Sequence, residues 1–213
     1  VMSPTDPLDS LQLSVEEMAA AVEVARSFNT YVMAHCHTSG AMDNALAAGI
    51  RSIEHGSILT EATARRMKQQ DAYLVPTIVI LELLARMPAL PDVSRAKLEM
   101  VRGETAGSVK IAMDAGVAIG SGSDLLGPRQ RRRAGEIIEK AKHMSTMDAL
   151  ISATRTNAAL FRMEDRIGTA EEGKDADLIL VAGSPVDDIE VLMDAENIPL
   201  VVQRGNVVKD ALA

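Results

Sequence analysis

The feature that most constrains this chain is an alternation. β-like and helical segments follow one another four times before residue 125. The β-like segments are Thr30-Tyr31-Val32-Met33-Ala34 ending at His35, and Arg51-Ser52-Ile53-Glu54 ending at His55-Gly56. Next come Tyr73-Leu74-Val75 with Thr77-Ile78-Val79 around Pro76, and Gly116-Val117-Ala118-Ile119 leading into Gly120-Ser121-Gly122-Ser123-Asp124. Helical patterns precede or separate them. Ser14 opens one with a capping box, Glu17 standing three residues after the cap. Residues 41–48 form a second, stopped by Gly49, and residues 61–70 a third behind Thr60; a long one covers 94–114. Strands alternating with helices imply right-handed β-α-β crossovers and a parallel sheet. The predicted class is α/β.

The character changes after the helical patterns at 136–143 and 146–155, with a possible further turn at 157–161. A strand at 176–181 is closed by Gly183-Ser184-Pro185, and a hairpin at 200–209 turns at Gly205-Asn206. We place a domain boundary there, giving 1–167 and 168–213. Hydrophobic residues make up 47% of the chain, but the aromatics are only Phe28, Tyr31, Tyr73 and Phe161. The core must therefore be built from Ala, Val, Ile, Leu and the 12 Met residues. A net charge of −8 argues against nucleic acid or anionic membrane as partner. No apolar run approaches the roughly 18 residues of a membrane span. Cys36 is the single cysteine, so no internal disulfide can form, and a reducing, cytoplasmic setting is expected.

The chemistry lies where strands end. His35, His55 and Asp124 each close a β-like segment. In a parallel barrel those ends converge on one face, where active sites sit. A lone strand-end histidine is commonly an ordinary hydrogen-bonded residue, and an Asp in a Gly-Ser-Gly-Ser-Asp turn is commonly a helix cap. Three at equivalent positions favour metal binding. Imidazole and carboxylate suit Zn²⁺, and also Mn²⁺, Fe²⁺ or Co²⁺. Alternation along the strand points Cys36 away from His35 and His37, toward a buried apolar role.

The runs Ala34-His35-Cys36-His37, Ile53-Glu54-His55-Gly56 and Gly122-Ser123-Asp124 resemble the amidohydrolase superfamily. Gly173-Lys174-Asp175-Ala176-Asp177-Leu178 with Gly183-Ser184-Pro185 resembles its C-terminal signature. The resemblance is strongest to the imidazolonepropionase-like branch with its Xaa-Pro and Xaa-Arg/Lys dipeptidases. It implies that His35 and His55 are metal ligands after barrel strands five and six. It implies that Asp124, after strand eight, binds metal and serves as general base and acid. His37 falls where relatives contact the substrate carboxylate or oxyanion.

One departure shapes the expectation. The superfamily carries a His-x-His pair after strand one and, with two metals, a bridging Lys after strand four. Here the His35/His37 pair sits on the wrong strand, and Lys68, Lys97 and Lys110 lie in helical patterns. By this mapping the chain is the C-terminal half of a (β/α)8 TIM barrel, strands five to eight, plus the C-terminal strands of a small β-sandwich. The non-Met start at Val1 agrees, and the N-terminal half of the same polypeptide is the implied partner.

The expected activity is hydrolysis of an amide bond in a small substrate, a dipeptide of the Xaa-Pro or Xaa-Arg/Lys type, with one or two Zn²⁺ or similar ions. A cyclic amide hydrolase and a non-catalytic barrel are the alternatives. A homo-oligomer is expected. Specificity falls to the loops at 57–59, 79–91 and 125–133. The last holds Arg129, Arg131, Arg132 and Arg133, either a solvated cluster or a seat for an anion. His143 carries no assigned role.

Overall fold

In a computed structural model, which describes residues 3–212, the chain divides into two compact units, residues 1–124 and 125–213. The break at 124/125 falls before the change of character at 167/168. The helices of 135–160 therefore group with the C-terminal strands.

The first unit is a parallel α/β layer. Its elements are α1 (Val15–Ser27), β1 (Met33–Thr38), α2 (Ser39–Ala47), β2 (Ser52–Ile58), α3 (Glu61–Gln69), β3 (Tyr73–Val75), α4 (Ile78–Ala85), α5 (Asp92–Asp114) and β4 (Ala118–Ile119). The capping box forms as expected: Ser14 Oγ accepts from the Glu17 N–H, and Glu17 returns to the Ser14 N–H at 2.8 Å. Thr60 caps α3 through the Thr63 N–H. The strands lie in the order β1-β2-β3-β4, all parallel, with Met33 opposite Ser52, Ile53 opposite Leu74, and Leu74 opposite Ile119.

Helices pack on this sheet through apolar stripes. α5 buries Leu98, Val101, Thr105, Ser108, Val109 and Ala112, a helical repeat. α2 adds Met42, Ala45 and Leu46, and α3 adds Ala64 and Met67; Ile53 and Leu74 of the strands are buried as well. Each large side chain of this kind contributes about 1.5–3 kcal/mol on burial. The core is aliphatic and thioether, as the composition requires. Phe28 and Phe161 are exposed, while Tyr31 and Tyr73 are half-buried and flank the Arg51 guanidinium at 5.5 and 4.9 Å.

Two readings from sequence change. The expected strand through Thr77-Ile78-Val79 stops at Val75, and residues 78–85 are helix, not strand and loop. Thr77 takes a left-handed φ of 53°, which turns the chain out of the sheet. Ile78, Val79, Ile80 and Leu81 are then all buried, and that burial overrides their β preference. β1 and β2 also run past their expected ends, to Thr38 and Ile58.

The second unit starts with a 3-10 turn (Gly127–Arg132) and α6 (Gly135–Ala141). It continues with α7 (Thr146–Ile151), a π-helical turn (Ser152–Thr156) and α8 (Asn157–Leu160). Lys140 and Glu136, one turn apart on α6, are both buried; burial pulls the Lys140 ammonium down to about 8, against the pull of Glu136. Beyond lie β5 (Leu178–Leu180), β6 (Leu200–Gln203) and β7 (Asn206–Asp210) in one antiparallel sheet. The hairpin turns at Arg204-Gly205, one residue before the expected pair. Their φ values of 48° and 76° give the twist a two-residue hairpin loop needs. No helix among the described residues is long and apolar enough to cross a membrane.

Candidate active site

The site is built on an irregularity in β2. Pairing with β1 keeps one register from Met33↔Ser52 to Cys36↔His55, then jumps to Thr38↔Ile58. β2 therefore carries one extra residue, a bulge. His55 and Gly56 at the bulge have φ of 74° and 53°. Gly56 is required there, because a Cβ would sit 2.2 Å from Leu74 Cδ1. Ser108 of α5 secures the strand beyond the bulge. Its hydroxyl donates to the Ser57 carbonyl at 2.7 Å and accepts from the Leu59 N–H at 2.9 Å.

This geometry gathers three imidazoles. His35 Nδ1 lies 2.7 Å from His55 Nε2. The His37 ring stacks on His55, with centroids 4.5 Å apart and planes 9° from parallel. The His35 and His55 centroids are 5.0 Å apart. His37 Nδ1 is 3.0 Å from Ser57 Oγ, and His55 Nδ1 is 2.6 Å from Thr77 Oγ1. Cys36, between the two β1 histidines, is buried, and burial lifts its thiol to about 11, with Glu54 adding. It is an apolar filler, as its place in the alternation suggested.

Burial also sets the charge state of the rings. It lowers His37 to about 3, with the neighbouring imidazoles of His55 and His35 adding, and lowers His55 to about 4, with His35 adding. Both are neutral near pH 7 and offer lone pairs. Glu54 is buried beside them. Burial raises its carboxyl above the usual range, opposed by the Ser52 hydroxyl at 2.5 Å and by His35, and reinforced by Asp124.

His35, His37, His55 and Asp124 all line one pocket of about 310 Å³. The sequence placed Asp124 at a strand end, but β4 stops at Ile119, and Asp124 stands on the irregular segment that follows. That segment passes close over β3: a Cβ on Gly122 would come within 2.9 Å of Val75. Among the described residues, no three or more His, Cys, Asp and Glu side chains are gathered into a metal-holding cluster. The two imidazoles touch each other directly, and the carboxylate shares their pocket. As donors, neutral imidazoles and a carboxylate suit a divalent transition ion.

Sequence reasoning missed Thr77, Ser57 and Glu54 as parts of the site. Thr77 is the clearest omission. His55, Thr77 and Asp124 all adopt positive φ, and each stands on β2 or just beyond β3 or β4. Such strain costs of order 1–3 kcal/mol per residue and clusters at functional sites. No local pattern announces it in the sequence. Arg129, Arg131, Arg132 and Arg133 belong to the second unit.

The model of the Amidohydrolase family matches residues 2–208. The fold is similar to that of a prolidase complexed with N-methylphosphonate-L-proline, at 39% identity and a TM-score of 0.93, covering 98% of this chain and 52% of that one. It is also similar to a Xaa-Pro dipeptidase with methionine bound in its active site, at 32% identity and a TM-score of 0.90, covering 98% and 52%. Among curated relatives, the ochratoxinase of Aspergillus niger is 29% identical over 98% of this chain and 44% of its own length. The chain thus spans about half the length of the relatives it matches. With the family model matching nearly end to end, the chain belongs to the amidohydrolase family.

Proposed function

We propose that these residues form part of a metal-dependent hydrolase that cleaves the amide bond of a small substrate, a dipeptide of the Xaa-Pro or Xaa-Arg/Lys type. The observation that carries this reading is the single pocket shared by His35, His55, Asp124 and His37. The solved relatives named for prolidase and Xaa-Pro dipeptidase activity support the dipeptide class. The in-order parallel sheet has no reversal, the winding of a barrel rather than of a doubly wound sheet. Together with the half-length match, it supports reading the four strands as the second half of a (β/α)8 barrel.

His35, His55 and Asp124 would hold the ion, Zn²⁺ or Mn²⁺, Fe²⁺ or Co²⁺ in its place. When bound, the ion supplies acidification of a water and polarisation of the scissile carbonyl. A proton on His55 Nδ1, donated to Thr77 Oγ1, leaves the Nε2 lone pair available. Asp124 takes the proton of the attacking water and delivers it to the leaving nitrogen. The Ser57 hydroxyl, donating to His37 Nδ1, keeps the His37 proton on Nε2, where it serves the substrate carboxylate or the oxyanion.

The test uses the full-length protein. Hydrolysis of Xaa-Pro or Xaa-Arg/Lys dipeptides is expected, lost on chelation and restored by Zn²⁺ or Mn²⁺. Activity confined to cyclic amides, or activity indifferent to chelation, overturns the reading. A second measurement probes Thr77. Thr77→Val keeps the shape but removes the hydroxyl that orients His55. Metal affinity should fall about 10- to 100-fold by chelator competition, and Thr77→Ser should retain it.

A further inference from the structure

The pocket has two walls besides its histidine and aspartate end, and both are tied to one helix. The segment before α1 contributes Pro7 and Leu8 beside the polar Asp6, Ser10 and Gln12, and α4 contributes the apolar Ile80, Leu81 and Leu84. Three cations of α5 hold them. Lys97 donates to the carbonyls of Ser3 and Asp6. Arg95 donates to the carbonyls of Ala85 and Met87 at the end of α4. Arg102 grips both carboxylate oxygens of Glu82 at 3.0 and 2.9 Å. A short helix with an almost wholly apolar sequence is thereby pinned with one aliphatic flank open to the cavity, although Ile80 and Leu81 are otherwise 8% and 3% exposed. α4 has a single charged side chain, Glu82, and Arg102 already holds it.

We propose that the slot between these walls is the side-chain subsite of the enzyme. It takes an uncharged aliphatic or thioether side chain on the residue that supplies the scissile carbonyl. This rests on the amide-hydrolase reading above and narrows its substrate class. Burying an aliphatic side chain there favours it over hydrogen by about 10- to 100-fold. A charged side chain would lose its hydration against Ile80, Leu81 and Leu84 with no partner on that wall. The competing group is Asp6, an acid of the N-terminal segment that also lines the pocket and would pair with a cationic side chain.

Two separate measurements test this on the full-length protein. Calorimetry on the metal-free protein, which does not turn them over, compares Leu-Pro, Met-Pro, Gly-Pro and Lys-Pro. Leucine and methionine ligands should bind about 10- to 100-fold tighter than glycine. Leu84→Asp should collapse that ratio toward unity, and Leu84→Ala should reduce it in a milder background. Equal binding of leucine and glycine, or tightest binding of the lysine ligand with its loss in Asp6→Asn, overturns the proposal. Turnover of Leu-Pro, Gly-Pro and Lys-Pro by the metal-loaded enzyme is read independently. Discrimination in binding without any hydrolysis sustains the subsite and sinks the activity. Hydrolysis without discrimination does the reverse.

Discussion

Asp124→Asn should lower turnover by about a thousandfold or more while most of the bound metal stays. Removing a positioned general acid–base costs about 10²–10⁴ in rate, and a thousandfold corresponds to about 4 kcal/mol of barrier. The substitution is clean for a structural reason. Asp124 has a φ of 51°, a left-handed conformation that Asp and Asn tolerate better than most residues. The asparagine therefore keeps the backbone and one oxygen donor but cannot accept the proton of water. Steady-state kinetics paired with metal analysis of the same preparation checks this. Turnover within tenfold of the parent would move the proton transfer elsewhere, with the buried Glu54 carboxyl as the group to examine next.

His55→Asn should reduce metal affinity by more than about 100-fold, beyond the range expected for an orienting partner alone. Asparagine is again the informative choice, because His55 holds a φ of 74° and alanine would add backbone strain to the loss of the ligand. The variant removes the ring that touches His35 Nδ1, stacks on His37 and bonds Thr77. Three contacts therefore disappear with one side chain. Competition against a chelator of known affinity measures the effect. Affinity unchanged within a few-fold would remove His55 from the ligand set. A loss in Thr77→Val larger than in His55→Asn would likewise contradict the order of roles assigned here.

Much of the frame is legible locally. The Ser14/Glu17 box and the Thr60 cap need only residues three apart, and both form. The long stripe of α5 is a repeat that any face-forming helix shows. Other parts resist. Ile78-Val79-Ile80-Leu81 reads as strand because periodicity vanishes when a segment is buried all round. Only the left-handed turn at Thr77, set against β2 through His55, makes it a helix. The ends of β1 and β2 are hidden from local sequence for a similar reason. The bulge that extends them is a property of the pair and has no signature in either strand.

By itself, then, the sequence determined the α/β class, the order of the elements, the aliphatic character of the core and the identity of His35, His55, His37 and Asp124 as residues worth watching. These follow from side-chain period, caps and residue chemistry, which are written within a few positions of chain. The tertiary structure alone decided that three imidazoles stack, that Thr77 and Ser57 orient two of them, and that α4 supplies an apolar wall. Those outcomes join residues about twenty positions apart, as in His35–His55, His37–Ser57 and His55–Thr77. They depend on how the bulged β2 sits between its neighbours, and no window of local sequence contains that energy.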